Sequence, residues 1–65
     1  MTRYNLCCED RKKLHNIDRK FSTLKIESRF DMGEGSADIN VRVEDTEADS
    51  LTDWCEENEV DFRML

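Results

Sequence analysis

The chain has no proline and only two glycines among its 65 residues. Proline and glycine are the residues that most often interrupt helices and strands. Their scarcity predicts a chain made almost entirely of regular elements joined by short turns. The charged fraction of 40% is high for a folded domain. The strict hydrophobic periodicity described below nevertheless predicts a folded chain, because disordered acidic segments do not maintain such a pattern.

Long apolar runs are also missing, and so is the apolar core of a signal peptide behind Met1. The cysteine count is odd, so Cys7, Cys8 and Cys55 cannot all pair within the chain. An odd count without a signal peptide predicts free thiols in a reducing compartment. We therefore expect a cytoplasmic protein with no membrane segment.

The length of 65 residues predicts a single domain over residues 1–65. A chain of this size buries only about 60% of its unfolded surface, so its core is small and its stability marginal. Little volume is left for a deep catalytic cavity, and no Gly-rich oxyanion loop accompanies the single His15. We expect a protein that is not an enzyme and has no cofactor.

Two alternating hydrophobic runs dominate the sequence. The first places its apolar side chains on even positions and the second on odd positions, with Gly33-Glu34-Gly35 between them. Because successive residues of a strand point to opposite faces, each run predicts a strand with one buried and one solvated face. A short Gly-bearing loop between two such strands predicts a β-hairpin. The alternating residues are Leu24, Ile26, Ser28, Phe30 and Met32, then Ala37, Ile39, Val41 and Val43.

The remaining residues predict two helices and two further strands. Alternation predicts a first strand over about residues 2–8, and Asp10 is suited to cap a helix with Leu14, Ile17 and Phe21 on its apolar stripe. Thr46 and Asp49 resemble a capping box at the start of a second helix. The apolar stripe of this helix consists of Ala48, Leu51, Trp54 and Cys55. A short final strand follows, with Val60, Phe62 and Met64 in alternation.

The predicted order β-α-β-β-α-β is the split βαβ, or ferredoxin-like, pattern of an α+β fold. It implies a two-layer sandwich in which two helices cover one face of a four-stranded antiparallel sheet. The alternative is β-α-β-β-α, without the short last strand. The residues predicted to point inward from the sheet are Tyr4, Leu6, Cys8, Leu24, Ile26, Phe30, Ile39, Val41, Val43, Val60 and Phe62.

A metal or redox carrier that uses Cys7 and Cys8 is one alternative function. Adjacent strand residues point to opposite faces, whereas two thiolates that bind one ion need convergent side chains. We therefore interpret Cys8 as a core residue, Cys7 as an exposed thiol and Cys55 as helix packing. No metal site is expected.

A second alternative is nucleic-acid binding through the first helix, which is mostly basic on its solvated side. Its cations are Arg11, Lys12, Lys13, Arg19 and Lys20. The outward positions of strands one and three have no aromatic residue on which a base could stack. Direct nucleic-acid binding is therefore not expected. A homodimer through an edge strand remains open, although alternating charges on strand two disfavour it.

The charge is distributed unevenly along the chain. Residues 1–32 hold eight basic and five acidic side chains, whereas residues 33–65 hold two basic and eleven acidic ones. Acids even occupy the C-terminal end of the second helix, where the helix dipole favours cations. We predict that this cluster binds a basic protein surface. The predicted partner-binding residues are Glu47, Asp49, Asp53, Glu56, Glu57 and Glu59.

In size, charge and compactness the chain resembles the small regulators and inhibitors that bacteriophages encode against host machinery, including anti-CRISPR proteins. No sequence motif contributes to this resemblance. It implies a non-catalytic protein-binding module whose partner is a nucleic-acid-handling protein with a basic surface. An acidic domain that covered such a surface would compete with the phosphate backbone.

Overall fold

A computed structural model describes all 65 residues of the chain. Strand β1 spans Thr2–Cys8, helix α1 Arg11–Leu14, strand β2 Lys25–Asp31, strand β3 Ala37–Val43, helix α2 Asp45–Glu57 and strand β4 Asp61–Met64. Two short 3₁₀ turns lie at Ile17–Arg19 and Gly33–Gly35. The second turn joins β2 to β3 and confirms the predicted hairpin.

The four strands form one antiparallel sheet in the order β2-β3-β1-β4. Leu14 of α1 and Leu51 and Cys55 of α2 are buried in the same core as the inward residues of the sheet. The helices therefore cover one face, and the other face is open. This is the predicted α+β architecture, with the order β-α-β-β-α-β. The alternative without a last strand is wrong, because β4 pairs with β1 along its whole length.

The core consists of 13 apolar residues and has no buried polar or charged residue. Phe21 and Trp54 are half-buried against it, with their rings in an edge-to-face contact at a centroid distance of 6.5 Å. Burial of this compact set stabilises the domain at roughly 25 cal/mol per Å² of apolar surface. The core residues are Tyr4, Leu6, Cys8, Leu14, Ile17, Leu24, Ala37, Ile39, Val41, Val43, Leu51, Cys55 and Val60.

Phe30 is the clearest error of the sequence prediction. It was expected in the core, but it lies on the open face and is 56% exposed. The cause is a β-bulge in β2: Ile26 pairs with Val41, yet Ser28 pairs with Asn40, so Glu27 is an extra residue. A bulge of one residue reverses the parity of everything after it. Arg29 consequently takes the inward position opposite Ile39.

Phe62 was also predicted in the core, and here the predicted face is right but the burial is not. It pairs with the buried Leu6 and contacts Tyr4 edge-to-face at 6.3 Å, yet it is 36% exposed. Strand β4 is an edge strand of four residues, all of them exposed. Phe62 therefore lies at the rim of the core, where no further element covers it.

The first helix is shorter than its hydrophobic stripe predicted. The Asp10 cap is confirmed, because its carboxylate accepts a hydrogen bond from the Lys12 amide at 3.1 Å. The helix ends at Leu14, and Asn16 has a non-helical backbone before the 3₁₀ turn. Isolated short helices are marginal, so packing decides their length. Leu14 and Ile17 both reach the core across this interruption.

Candidate functional site

Helix α2 has six acidic residues and no basic one. Five of these acids are exposed, and Asp45 at the start of the helix pairs with the N-terminal ammonium. The other four recur at helical spacings of four, seven and eight residues, which places them on one face. We call them the acidic stripe: Asp49, Asp53, Glu56 and Glu57. The opposite side of the helix packs on the sheet through Leu51 and Cys55. The fold therefore directs four of the six predicted partner-binding acids toward solvent on one helix face.

The acidic stripe forms no ion pair within the molecule. The structure has two ion pairs, one between the N-terminal ammonium and Asp45 at 3.4 Å and one between Arg3 and Glu27 at 3.2 Å. Neither involves a residue of the stripe. Like charges four residues apart destabilise a helix by roughly 0.2–0.5 kcal/mol per pair. The pairs Asp49–Asp53 and Asp53–Glu57 both have this spacing, so the stripe opposes helix formation.

Glu47 is separate from the stripe, although the sequence prediction grouped it with the partner-binding residues. One carboxylate oxygen accepts from the amide and hydroxyl of Ser22, at 3.3 and 2.7 Å. The other accepts from the amide and hydroxyl of Thr23, at 3.0 and 2.7 Å. These hydrogen bonds, led by those from the two hydroxyls, lower the pKa of Glu47 to about 2. Glu47 thus fastens the loop before β2 to the start of α2.

The beginning of α2 differs from its prediction in a related way. The helix begins at Asp45, with Glu44 as N-cap and no side-chain cap, so the expected Thr46–Asp49 capping box does not form. Thr23 instead accepts a hydrogen bond from the Glu44 amide at 3.2 Å. Contacts from the preceding loop therefore replace a local cap. Sequence spacing could not reveal them, because Thr23 and Glu44 are 21 residues apart.

Glu59 lies beyond the end of α2 in the left-handed backbone region, with φ of 58°. It lines a groove between α2 and β4 with Glu56, and Cys55, Val60, Asp61 and Phe62 line the remainder. The fold thus brings Glu59 close to one end of the acidic stripe but onto a different backbone segment. The groove combines an apolar floor with a charged rim, and the apolar centre with a polar rim is the general arrangement of protein-binding surfaces.

Lys13 supplies the cation that the C-terminal end of α2 lacks. Its ammonium donates a hydrogen bond to the Asn58 carbonyl at 2.8 Å. The amide of the Asn58 side chain also donates to the Trp54 carbonyl at 2.8 Å. One of the five cations predicted as a basic nucleic-acid surface is therefore used within the fold. With α1 reduced to four residues, the remaining cations have no long helix to align them.

The cysteines are arranged as predicted: Cys7 is exposed, and Cys8 and Cys55 are buried. Burial, with smaller contributions from Asp38 and Asp61, raises the pKa of the Cys7 thiol. Burial raises the pKa of Cys55 to about 12. Thiols rather than thiolates are poor metal ligands and poor nucleophiles. No group of three or more His, Cys, Asp or Glu side chains is positioned to hold a metal ion.

The open face of the sheet is the surface that sequence reasoning described least well. Arg3, Arg42 and Lys25 lie side by side on β1, β3 and β2, and Arg63 on β4 is diagonal to Arg3. The other end of the same face has Asp38 and Asp61 beside Cys7. The alternation within each strand could have indicated that these cations point to the open face. Their alignment depends on the register between strands, which the sequence does not state.

Comparison with protein-family models, with curated proteins and with solved structures finds no match to this chain. Neither helix of the fold has the length and apolar character needed to cross a membrane.

Proposed function

We propose that the protein is a small non-catalytic regulator that docks its acidic stripe on a basic surface of a nucleic-acid-handling protein. The observation that carries this proposal is the acidic stripe itself. Asp49, Asp53, Glu56 and Glu57 are exposed on one helix face without any ion pair in the chain. A stripe that opposes helix stability and has no internal partner is best explained by an external one.

The density of charge along the stripe supports a nucleic-acid-binding surface as the target. From Asp49 to Glu57 the helix rises by about 12 Å, at 1.5 Å per residue. Four carboxylates over this length give about one negative charge per 3–4 Å. A single DNA strand has one phosphate per 3.4 Å of helix axis. The stripe therefore presents anions to a basic surface at a density close to that of the natural ligand.

Long-range electrostatics supports the same proposal. The chain has a net charge of −6, and the exposed acids of α2 concentrate much of it on one side. A field of one sign accelerates association with a partner of opposite sign and falls off with ionic strength. Glu59 and the apolar rim residue Phe62 extend the docking surface into the groove beside β4. Phages encode small inhibitors of this general character, and we include a phage origin of the protein in the proposal.

The test compares three versions of the protein as bait in a lysate of the source cell. The stripe variant changes two residues of the acidic stripe and the neighbouring Glu59: Glu56→Lys, Glu57→Lys and Glu59→Lys. Its net charge is six units more positive than that of the wild type. The control variant has Glu9→Lys, Asp18→Lys and Glu34→Lys, which makes the same change of charge at exposed acids whose side chains accept no hydrogen bond. Both are expected to fold, and cations suit the end of α2.

The expected result is a partner that the wild type and the control capture at low salt and release at high salt. The stripe variant should not capture it. The wild type should also displace nucleic acid from the purified partner in a gel-shift assay. Equal capture by the stripe variant would contradict the proposal. So would a partner whose nucleic-acid binding is unchanged by an excess of the wild-type protein.

A further inference from the structure

The open sheet face has a row of cations that no part of the proposed function uses. The register pairs Lys25 directly with Arg42 and Arg42 directly with Arg3. Like charges directly opposite each other on a sheet are destabilising. Arg63 adds a fourth cation diagonally beside Arg3. Four of the ten basic residues of an acidic chain therefore lie together on one end of this face.

Only one acid forms an ion pair with this row. Glu27, the extra residue of the bulge in β2, forms an ion pair with Arg3 Nε at 3.2 Å. Strand β3 lies between β2 and β1, so the Glu27 side chain reaches across the strand that holds Arg42. It forms no ion pair with Arg42, Lys25 or Arg63. The cation row therefore has a single ion pair, and only Arg3 takes part in it.

Arg42 lies at the centre of the row and lacks a partner. Its Nε is the only buried side-chain nitrogen or oxygen atom in the protein that has no hydrogen bond. A buried donor on a charged group without an acceptor is costly, so such atoms are rare in folded proteins. The two residues directly opposite Arg42, Lys25 and Arg3, are themselves donors and cannot supply the acceptor. An oxyanion from outside the chain would supply it.

We propose that Lys25, Arg42, Arg3 and Arg63 form a binding site for a terminal phosphate group on the open face of the sheet. The planar guanidinium groups of arginine match the oxygens of phosphate, and each bond is charge-assisted. A phosphate has more acceptor oxygens than the Glu27 carboxylate. It can therefore bond to the Arg42 guanidinium while it neutralises the neighbouring cations, and Glu27 competes with it for Arg3. Arg42 Nε is covered in the free protein, so a bond to this atom requires the side chains over it to move aside.

The remainder of the open face favours a terminal phosphate over a nucleic-acid chain. Asp38 is four residues before Arg42 on β3, about 13 Å away at 3.3 Å per strand residue. Asp61 lies on the same end, opposite Cys7 on the neighbouring strand. The phosphates of a polymer that continued along the strands would approach these carboxylates. A ligand with one phosphate group at the basic end avoids this repulsion.

Titration of the full-length protein with inorganic phosphate at constant ionic strength tests the proposal, followed by NMR of the arginine Nε–Hε groups. The Arg42 signal should shift and saturate with phosphate but not with chloride. Arg42→Gln should weaken phosphate binding by at least about tenfold, as expected for the loss of a charge-assisted bond. The matched control Arg19→Gln removes an exposed cation elsewhere and should leave binding within about twofold.

Glu27→Gln provides an independent variant on an exposed edge position, useful if Arg42→Gln does not fold. It removes the competing carboxylate, so phosphate should bind severalfold more tightly. Weaker or unchanged binding in Glu27→Gln would overturn the proposal. So would an unshifted Arg42 signal in the wild type, or equal losses in Arg42→Gln and Arg19→Gln.

Short oligonucleotides distinguish the source of the phosphate. A 5′-phosphorylated dinucleotide should bind more tightly than the same dinucleotide with a 5′-hydroxyl, because only the first has a terminal phosphate. Equal affinity would show that the site binds the phosphodiester backbone and would overturn the assignment to a terminal group.

Discussion

Ile39 and Phe30 are both apolar strand residues, yet their surroundings differ completely. Ile39 is fully buried in the central strand β3, whereas Phe30 is 56% exposed on the open face of β2. A charge at the first position would have no partner inside a core that contains no polar residue. A polar side chain at the second position would contact solvent.

We expect Ile39→Asp to lose cooperative unfolding altogether. A buried unpaired charge costs more than about 4 kcal/mol, which is most of the stability of a small domain. Phe30→Thr should change the free energy of unfolding by only about 0.5 kcal/mol, as for other exposed positions. Urea denaturation followed by circular dichroism measures both. A large loss of unfolding free energy in Phe30→Thr would show that Phe30 is buried, and therefore that β2 has no bulge between Ile26 and Phe30.

Glu47 is a second residue whose role depends on its contacts rather than on its charge. It is ionised while it accepts four hydrogen bonds from Ser22 and Thr23. Its pKa is lowered from 4.5 to about 2. A carboxyl group whose pKa is lower in the folded state stabilises that state above its unfolded pKa, and this contribution is lost as pH falls.

We expect Glu47→Gln to lower the melting temperature at pH 7. The difference from the wild type should shrink as pH falls from about 4.5 toward about 2, because the wild-type carboxylate is then protonated too. Glu57→Gln is the control, since its side chain is exposed on the acidic stripe and has no hydrogen bond. Thermal melts at several pH values measure the effect. A difference that is independent of pH would contradict the proposed fastening role.

At the scale of elements, the bulge in β2 determines which side chains reach the open face. Pairing continues on both sides of Glu27, with Ile26 opposite Val41 and Ser28 opposite Asn40. The extra residue is therefore not needed for the ladder itself. Its effects are to turn Phe30 outward and to bring the Glu27 carboxylate to Arg3.

We expect the protein to fold after deletion of Glu27, because a regular ladder replaces the bulge without moving any paired residue. Deletion of Asn40 from the central strand is the comparison. It should abolish folding, since a shift by one residue turns the inward residues of half of β3 toward solvent. Circular dichroism and amide dispersion in NMR spectra report the outcome. An unfolded Glu27 deletion would show that the bulge is required for the fold.

At the scale of the whole molecule, charge is segregated between surfaces. The acidic stripe occupies the outer side of α2, and the cation row occupies one end of the open sheet face. Two ion pairs are few for 26 charged side chains with a net charge of −6. Repulsion between like charges therefore outweighs attraction within the folded chain, and salt screens that repulsion.

We expect the melting temperature of the wild type to rise when sodium chloride increases from about 0.01 to 0.15 M, since the screening length falls from about 30 to 8 Å. The variant with Glu56→Lys, Glu57→Lys and Glu59→Lys has no net charge and should respond much less. Scanning calorimetry at several salt concentrations measures this. Destabilisation of the wild type by salt would show that internal ion pairs dominate.

The sequence by itself determined the element order and most of the core. Alternate residues of a strand point to opposite faces because of the pleat. The inward side of β1 and β3, and the burial of Cys8, therefore followed from the alternation of apolar residues such as Leu6 and Ile39. The acidic character of α2 followed from the uneven distribution of charge along the sequence. Local patterns of this kind need no knowledge of the neighbouring elements.

The tertiary structure decided everything that depends on contacts between distant segments. The bulge at Glu27 arises where β2 pairs with β3, and it reversed the predicted position of Phe30. Glu47 became a structural residue because the fold brings Ser22 and Thr23 within hydrogen-bond distance. The row of Arg3, Arg42 and Lys25 exists only through strand register. Register and long-range hydrogen bonds are set by the packing of the whole chain, so they cannot be predicted from a local sequence pattern.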